Sequence, residues 1–222
     1  MKDVTKSEGI TEWLIEAIVS GKFASGSKIS EPELSRELGV SRGPLREAMM
    51  RLESMGLVER VPHVGARVVA ISAAQLSDIY AVREALEGMA IRQACQHITA
   101  QEIEALKKLL HRHQQHIDDV DGATYFHQQG DFDFHYRIIQ ASRNDKLISL
   151  LCDELYHLVR MYRTQSTRTQ SRPERALDEH VQILNALEER DADLAEMLMR
   201  RHIKRSGDLA AKQLNSDREK AS

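Results

Sequence analysis

Apolar side chains recur at helical spacing at Ile10, Leu14, Ala17 and Ile18, and Gly21 ends the run. This pattern predicts a first helix. Ser25-Gly26 marks a turn, and Ser30 stands three residues before Glu33 in the spacing of a capping box, with Pro32 tolerated in the first helical turn. A second helix is expected over 31–38. Gly39 interrupts it, and Ser41 offers the N-cap of a third helix whose apolar face is Leu45, Ala48, Met49 and Leu52, ending near Met55-Gly56. Two β-rich runs, 57–61 and 66–70, then flank the turn-forming Pro62-His63-Val64-Gly65. Three helices, a short turn between the second and third, and a trailing hairpin make a winged helix-turn-helix, with the third helix in the recognition position.

From Ser72 onward β-branched runs, glycine and proline thin out, and helical patterns follow at about 73–97, 99–120, 123–141, 144–164, 173–188 and 191–214. Thr99 and Glu102 form a second capping box, and Asn144 is placed to cap the fourth of these helices. The expected fold class is mainly α: a winged helix-turn-helix over 1–70, a linker over 71–75, an all-helical bundle over 76–214, and a tail over 215–222 too polar to hold structure. Leu147, Leu150, Leu151 and Leu155 read as core or dimer contacts.

The length of 222 residues fits two domains, and no apolar run approaches the ~20 residues of a membrane span. The charged N-terminus lacks the apolar stretch of a secretory signal, and the two cysteines, Cys95 and Cys152, lie in helical patterns. A soluble protein of the reducing cytoplasm is expected. The formal net charge of −3 does not by itself point to a nucleic-acid partner. The distribution changes the picture slightly: residues 36–67 hold six arginines against four glutamates. Arginine is the side chain best shaped for phosphates and guanine edges.

The stretch Gly39 to Met49, followed by Arg51-Leu52, Gly56-Leu57-Val58 and Gly65-Ala66-Arg67-Val68, resembles the DNA-binding domain of the GntR family of bacterial regulators over Ile10 to Val69. Residues 74–213 resemble the FCD ligand-binding domain of its FadR-like branch. The markers are Val82 to Glu87, Asp131 to His135, Ala141 to Asn144, Glu179-His180, and Met199 to Ile203. Six helices resemble the shorter, VanR-like form. Two departures bear on the operator. Gly43 stands where the family commonly has threonine, and Pro32 where some relatives use a DNA-contacting arginine, so a relative's operator sequence does not carry over.

Within this resemblance Ser41, Arg42, Gly43 and Arg46 open the recognition helix, whose N-terminal residues face base edges and whose amides favour a phosphate. His63, Gly65 and Arg67 belong to the wing, where glycine permits close approach to the sugar-phosphate backbone and Arg67 suits a minor groove. Asp131 and His135 are four apart and share a helix face, while His180 and His202 belong to the last two helices, so three helices can converge on one ion. All four positions match the metal-binding type of the domain. Three imidazoles and a carboxylate suit a divalent ion such as Zn²⁺, Ni²⁺ or Mn²⁺ with coordination positions left open. His127, four residues before Asp131, is left out of this set, as a hydrogen-bond partner of a ligand or a substitute for one. Arg83 resembles the family arginine that faces the effector pocket, against the alternative of an i,i+4 ion pair with Glu87.

These readings imply a non-enzymatic regulator that binds an inverted-repeat operator on double-stranded DNA as a homodimer, with affinity controlled by a small carboxylic acid at the metal. Two alternatives remain open at this point. One is a metal-dependent hydrolase using the His/Asp site. The other is a metal-free regulator whose bundle holds an acyl ligand.

Overall fold

The computed structural model describes residues 6–119, 134–165 and 173–221, which form two compact units. The first contains α1 (Lys6–Val19), β1 (Lys28–Ile29), α2 (Glu31–Glu37), α3 (Arg42–Ser54), β2 (Val58–Val61) and β3 (Gly65–Val68). α1 packs on α3, and Leu14 and Ile18 of α1 and Leu45, Ala48, Met49 and Leu52 of α3 are all sealed from solvent. The 3.6-residue period therefore located the faces that pack. It did not locate β1, a two-residue strand too short to show a period. β1 pairs antiparallel with β3 (Lys28 opposite Arg67, Ile29 opposite Ala66), which makes β3 the centre of a sheet ordered β1-β3-β2.

Local capping departs from expectation in this unit. Ser30 is the N-cap of α2, yet its side chain makes no cap hydrogen bond, and the box with Glu33 is not formed. Only its carbonyl takes part, accepting from Leu34 N at 2.9 Å. Pro32 already removes one of the donors that a cap would serve. The wing turn is strained toward the left-handed region, with φ of 63° at His63 and 98° at Gly65.

The second unit contains α4 (Ala73–His97), α5 (Ala100–Asp119), α6 (Phe134–Ala141), α7 (Asp145–Ile148), α9 (Pro173–Glu188) and α10 (Ala192–Ala221). A capping box between Ser72 and Gln75 starts α4, so the linker expected over 71–75 is helical from Ala73. The Thr99–Glu102 box forms as read, with Thr99 N donating to Glu102 Oε2 at 2.9 Å and Glu102 N donating to Thr99 Oγ1 at 3.2 Å. Asn144 Oδ1 caps α7 by accepting from Lys146 N and Leu147 N, both at 3.1 Å.

Three further expectations are corrected. The helix read over 144–164 contains a π-helical stretch, Ser149–Leu155, before it resumes as α8 (Tyr156–Gln165). α8 packs on α1 and belongs to the first unit: Arg160 grips Glu16 with Nη1 at 2.6 Å and Nη2 at 2.9 Å, and Val159 and Met161 are buried. The bundle is thus not one continuous stretch of chain. The tail read over 215–222 continues α10 as far as Ala221, since extending an existing helix avoids the cost of a new nucleus. Leu194 of α10 is exposed. The buried stripe of α10 runs instead through Ala195, Met199, His202 and Ile203.

α4 and α10 form the most extensive helix pair of this unit, and two glycines allow their approach. A Cβ at Gly207 would lie 2.7 Å from Tyr80 Cβ, and one at Gly88 would lie 2.8 Å from Arg200 Cγ. Arg190 closes the far end of α4 by donating to the carbonyls of Cys95 (2.6 Å) and Ile98 (2.7 Å).

Candidate metal centre and nucleic-acid interface

α6, α9 and α10 each turn one histidine into the core of the second unit. His135, His180 and His202 are 4–5% exposed, more buried than histidine usually is. His180 Nε2 lies 3.3 Å from His135 Nε2 and 3.2 Å from His202 Nε2. Nitrogens bound tetrahedrally to one ion at ~2.0–2.1 Å would stand ~3.3 Å apart. Phe134 stacks on the His180 ring at 4.3 Å between centroids, and Ile138, Ile183, Leu184 and Leu187 are buried within the same unit.

Two carboxylates orient the cluster. His135 Nδ1 donates to Glu87 Oε2 at 2.8 Å, and His202 Nδ1 donates to Glu179 Oε2 at 2.8 Å. Each carboxylate is itself held by an arginine: Arg83 Nε lies 2.7 Å from Glu87 Oε1, and Arg205 Nη1 lies 2.6 Å from Glu179 Oε1. Burial works against the charge on Glu87, but Arg83 and His135 outweigh it and hold its pKa at about 2. Glu179 is likewise held at about 2, with its hydrogen bonds from His202 and Arg205 overcoming desolvation. Burial pushes His202 down to about 4 against the pull of Glu179, which leaves the imidazole neutral near pH 7.

Charged carboxylates at Nδ1 place the ring protons there and turn the Nε2 lone pairs of His135 and His202 toward His180. One hydrogen on His180 Nε2 cannot serve both. A cation at the centre receives all three lone pairs, so the donor set fits a divalent metal with imidazole preference. Among the described residues this is the group of metal-ligand side chains that converges. Asp131 and His127 lie outside the described residues.

Sequence reasoning did not identify Glu87 and Glu179 as orienting partners. Glu179 adjoins His180 in the chain, a weak signal, while Glu87 is 48 residues from His135 and only tertiary packing joins them. Arg83 is 6% exposed, beside the cluster, with its guanidinium on Glu87 and over the Tyr80 ring at 4.8 Å.

In the first unit Ser41 is the N-cap of α3, and its side chain makes no cap bond. Arg42, Gly43 and Arg46 are exposed on α3, as are His63 and Gly65 on the wing. Arg67 differs from the others. It lies in the central strand opposite Lys28 and Glu59 and is half-buried, away from the wing tip. Arg60, which the sequence reading left aside, is tied to Glu31 and Glu53, each at 3.1 Å.

Residues 6–68 match the gntR family of bacterial regulatory proteins, and residues 78–205 match the FCD domain. The chain is 31% identical to the Nta operon transcriptional regulator of Aminobacter aminovorans, over 86% of this chain and 87% of that protein. It is 32% identical to the HTH-type transcriptional repressor RspR of Escherichia coli K12, over 84% of this chain and 80% of that one. E. coli McbR/YncC shares the fold, with a TM-score of 0.76 at 21% identity over 95% of this chain and 99% of that chain. These relatives are regulators rather than enzymes, which leaves the hydrolase reading without support. The chain belongs to the GntR family and is a DNA-binding transcriptional regulator carrying an FCD domain.

Proposed function

We propose that this regulator binds an inverted-repeat operator as a homodimer in the cytoplasm, and that a small carboxylic acid controls its affinity by binding at a divalent metal in the helical unit. The observation that carries the reading is the meeting of three imidazole Nε2 atoms whose rings are oriented by Glu87 and Glu179. His135, His180 and His202 hold the metal, with Asp131, four residues before His135 in the chain, as the fourth ligand. The metal, when bound, supplies a Lewis-acidic site for the effector's carboxylate. Arg83 is the effector's charge partner, with Glu87 as its resting partner. Because an effector shifts an equilibrium only by its different affinity for two states, the difference between its binding free energies for the operator-bound and released forms sets how far the balance moves.

Ser41, Arg42, Gly43 and Arg46 read the operator in the major groove, and His63, Gly65 and Arg67 hold the wing on the backbone. Two-fold symmetry follows because one helix-turn-helix reads one half-site. The test uses tag-free full-length protein: elemental analysis, melting with and without a chelator, and operator binding across a panel of small carboxylates. About one divalent ion per chain is expected. His180→Ala and His202→Ala should lose metal and effector response while keeping operator binding, and Arg42→Ala should weaken that binding by about 1–3 kcal/mol. Metal-free protein with normal effector response in both histidine variants would overturn the sensing mechanism, and unchanged operator affinity in Arg42→Ala and Arg46→Ala would overturn the recognition helix.

A further inference from the structure

α3 buries one apolar face completely, through Leu45, Ala48, Met49 and Leu52. Met50 is not part of that face. It is 58% exposed, and among the described residues it is the only large hydrophobic side chain of the first unit left so open. The apolar core of the unit is closed without it. Its position is informative. Met50 lies one turn beyond Arg46 and two turns beyond Gly43, so the three occupy the outward side of the helix, opposite the buried stripe.

Gly43 supplies a second, independent observation. No atom lies within 4 Å of the place its Cβ would take, and its backbone is not left-handed, so neither crowding nor torsion requires glycine there. Glycine inside a helix weakens it relative to alanine. Gly43 is the second residue of α3, and the missing side chain permits closer approach of this end of the helix to whatever α3 docks against. A helix seated more deeply in the major groove brings the next outward residues onto base edges. There the one apolar feature of the groove is the thymine C5-methyl group, all other edge groups being donors or acceptors.

We infer that Met50 is a specificity-determining residue of the recognition helix, packing against a thymine methyl in each half-site, with Gly43 allowing the approach. This deepens the operator-reading role proposed for α3 and rests on it. Arginines at Arg42 and Arg46 can select guanine, whereas Met50 selects thymine by apolar contact.

The test enriches binding sites from a random duplex pool with full-length wild-type protein, Met50→Ala and Met50→Gln. Every thymine of the wild-type site is then replaced in turn by uracil, which removes only the methyl group. Wild type should enrich a thymine at one symmetric position that both variants no longer prefer, with the rest of the site unchanged. Uracil at that position should weaken wild type about fourfold per half-site, the worth of one buried methyl, and leave Met50→Ala unaffected. Because Met50 is exposed, the variants keep the fold, and equal affinity for the unselected pool verifies this. An identical enriched site for all three proteins, or equal sensitivity to uracil in wild type and Met50→Ala, overturns the role of Met50 while leaving α3 as reader. A wild-type protein that enriches no sequence overturns the operator-reading role itself.

Discussion

Glu179→Gln isolates the orienting layer of the metal centre, because it removes a charge while keeping size and leaves all three imidazoles in place. Glu179 accepts from His202 Nδ1 at 2.8 Å and from Arg205 at 2.6 Å, and 15% of its side chain is exposed, so Arg205 can turn to solvent when the charge is gone. The loss at His202 is sharper. A neutral amide no longer holds the proton on Nδ1, and the tautomer that carries it on Nε2 aims a hydrogen at the ion. Removing such a partner costs about 10–100-fold in metal affinity. At a free-metal concentration of 100 Kd, the wild-type ion adds about 2.7 kcal/mol of stability. After the substitution the same concentration adds only about 0.4–1.4 kcal/mol by the same relation. At roughly 2–4 °C per kcal/mol for a chain of this size, the metal-dependent rise in Tm should fall from about 5–11 °C to about 1–6 °C. The assay is melting across a metal titration, with affinity measured by chelator competition, and Glu188→Gln as the control because Glu188, itself exposed, pairs with the exposed Lys107. Equal metal affinity and equal Tm gain in Glu179→Gln and wild type would refute the carboxylate–histidine–metal reasoning, whatever the variant's metal-free stability.

Gly207→Ala should destabilise the helical unit by about 1–2 kcal/mol, since overpacking costs about 1–3 kcal/mol against a helix-propensity gain of up to about 1. The added Cβ would sit 2.7 Å from Tyr80 Cβ, the root of that side chain, so α4 and α10 must move apart. Gly9→Ala, where nothing lies within 4 Å, should instead stabilise by about 0.5–1 kcal/mol, and urea denaturation reads both signs. Glu16→Gln breaks the α1–α8 bridge to Arg160, whose hydrogen bond, followed by its charge, holds the Glu16 pKa below the ordinary carboxylate value. Stability linked to a lowered carboxylate pKa is present above the unfolded value and disappears as pH falls through the folded one. The wild-type advantage, under about 1 kcal/mol because half of the Glu16 side chain faces solvent, should therefore be full near pH 7 and vanish in acid. A gap in urea midpoints that stays constant from neutral to acidic pH would assign it to packing instead.

Much of this protein was legible without coordinates, and the reason is periodicity. The faces of α1 and α3, the bounds of α4 and α9, and the Thr99–Glu102 and Asn144 caps are local features that a few residues decide among themselves. His135, His180 and His202 were named together from the family resemblance, not from period or spacing, and the fold brings their imidazoles close to one another. Tertiary structure decided what depends on residues distant in the chain. β1 exists only because β3 accepts it. α8 leaves the bundle for α1, with Val159 and Met161 buried and Arg160 meeting Glu16 across 144 residues of chain. Glu87 becomes a partner of His135 only when α4 and α6 pack together. In each case the free energy lies in a contact whose two halves carry no period and no spacing in common, so neither half announces the other until the chain has folded.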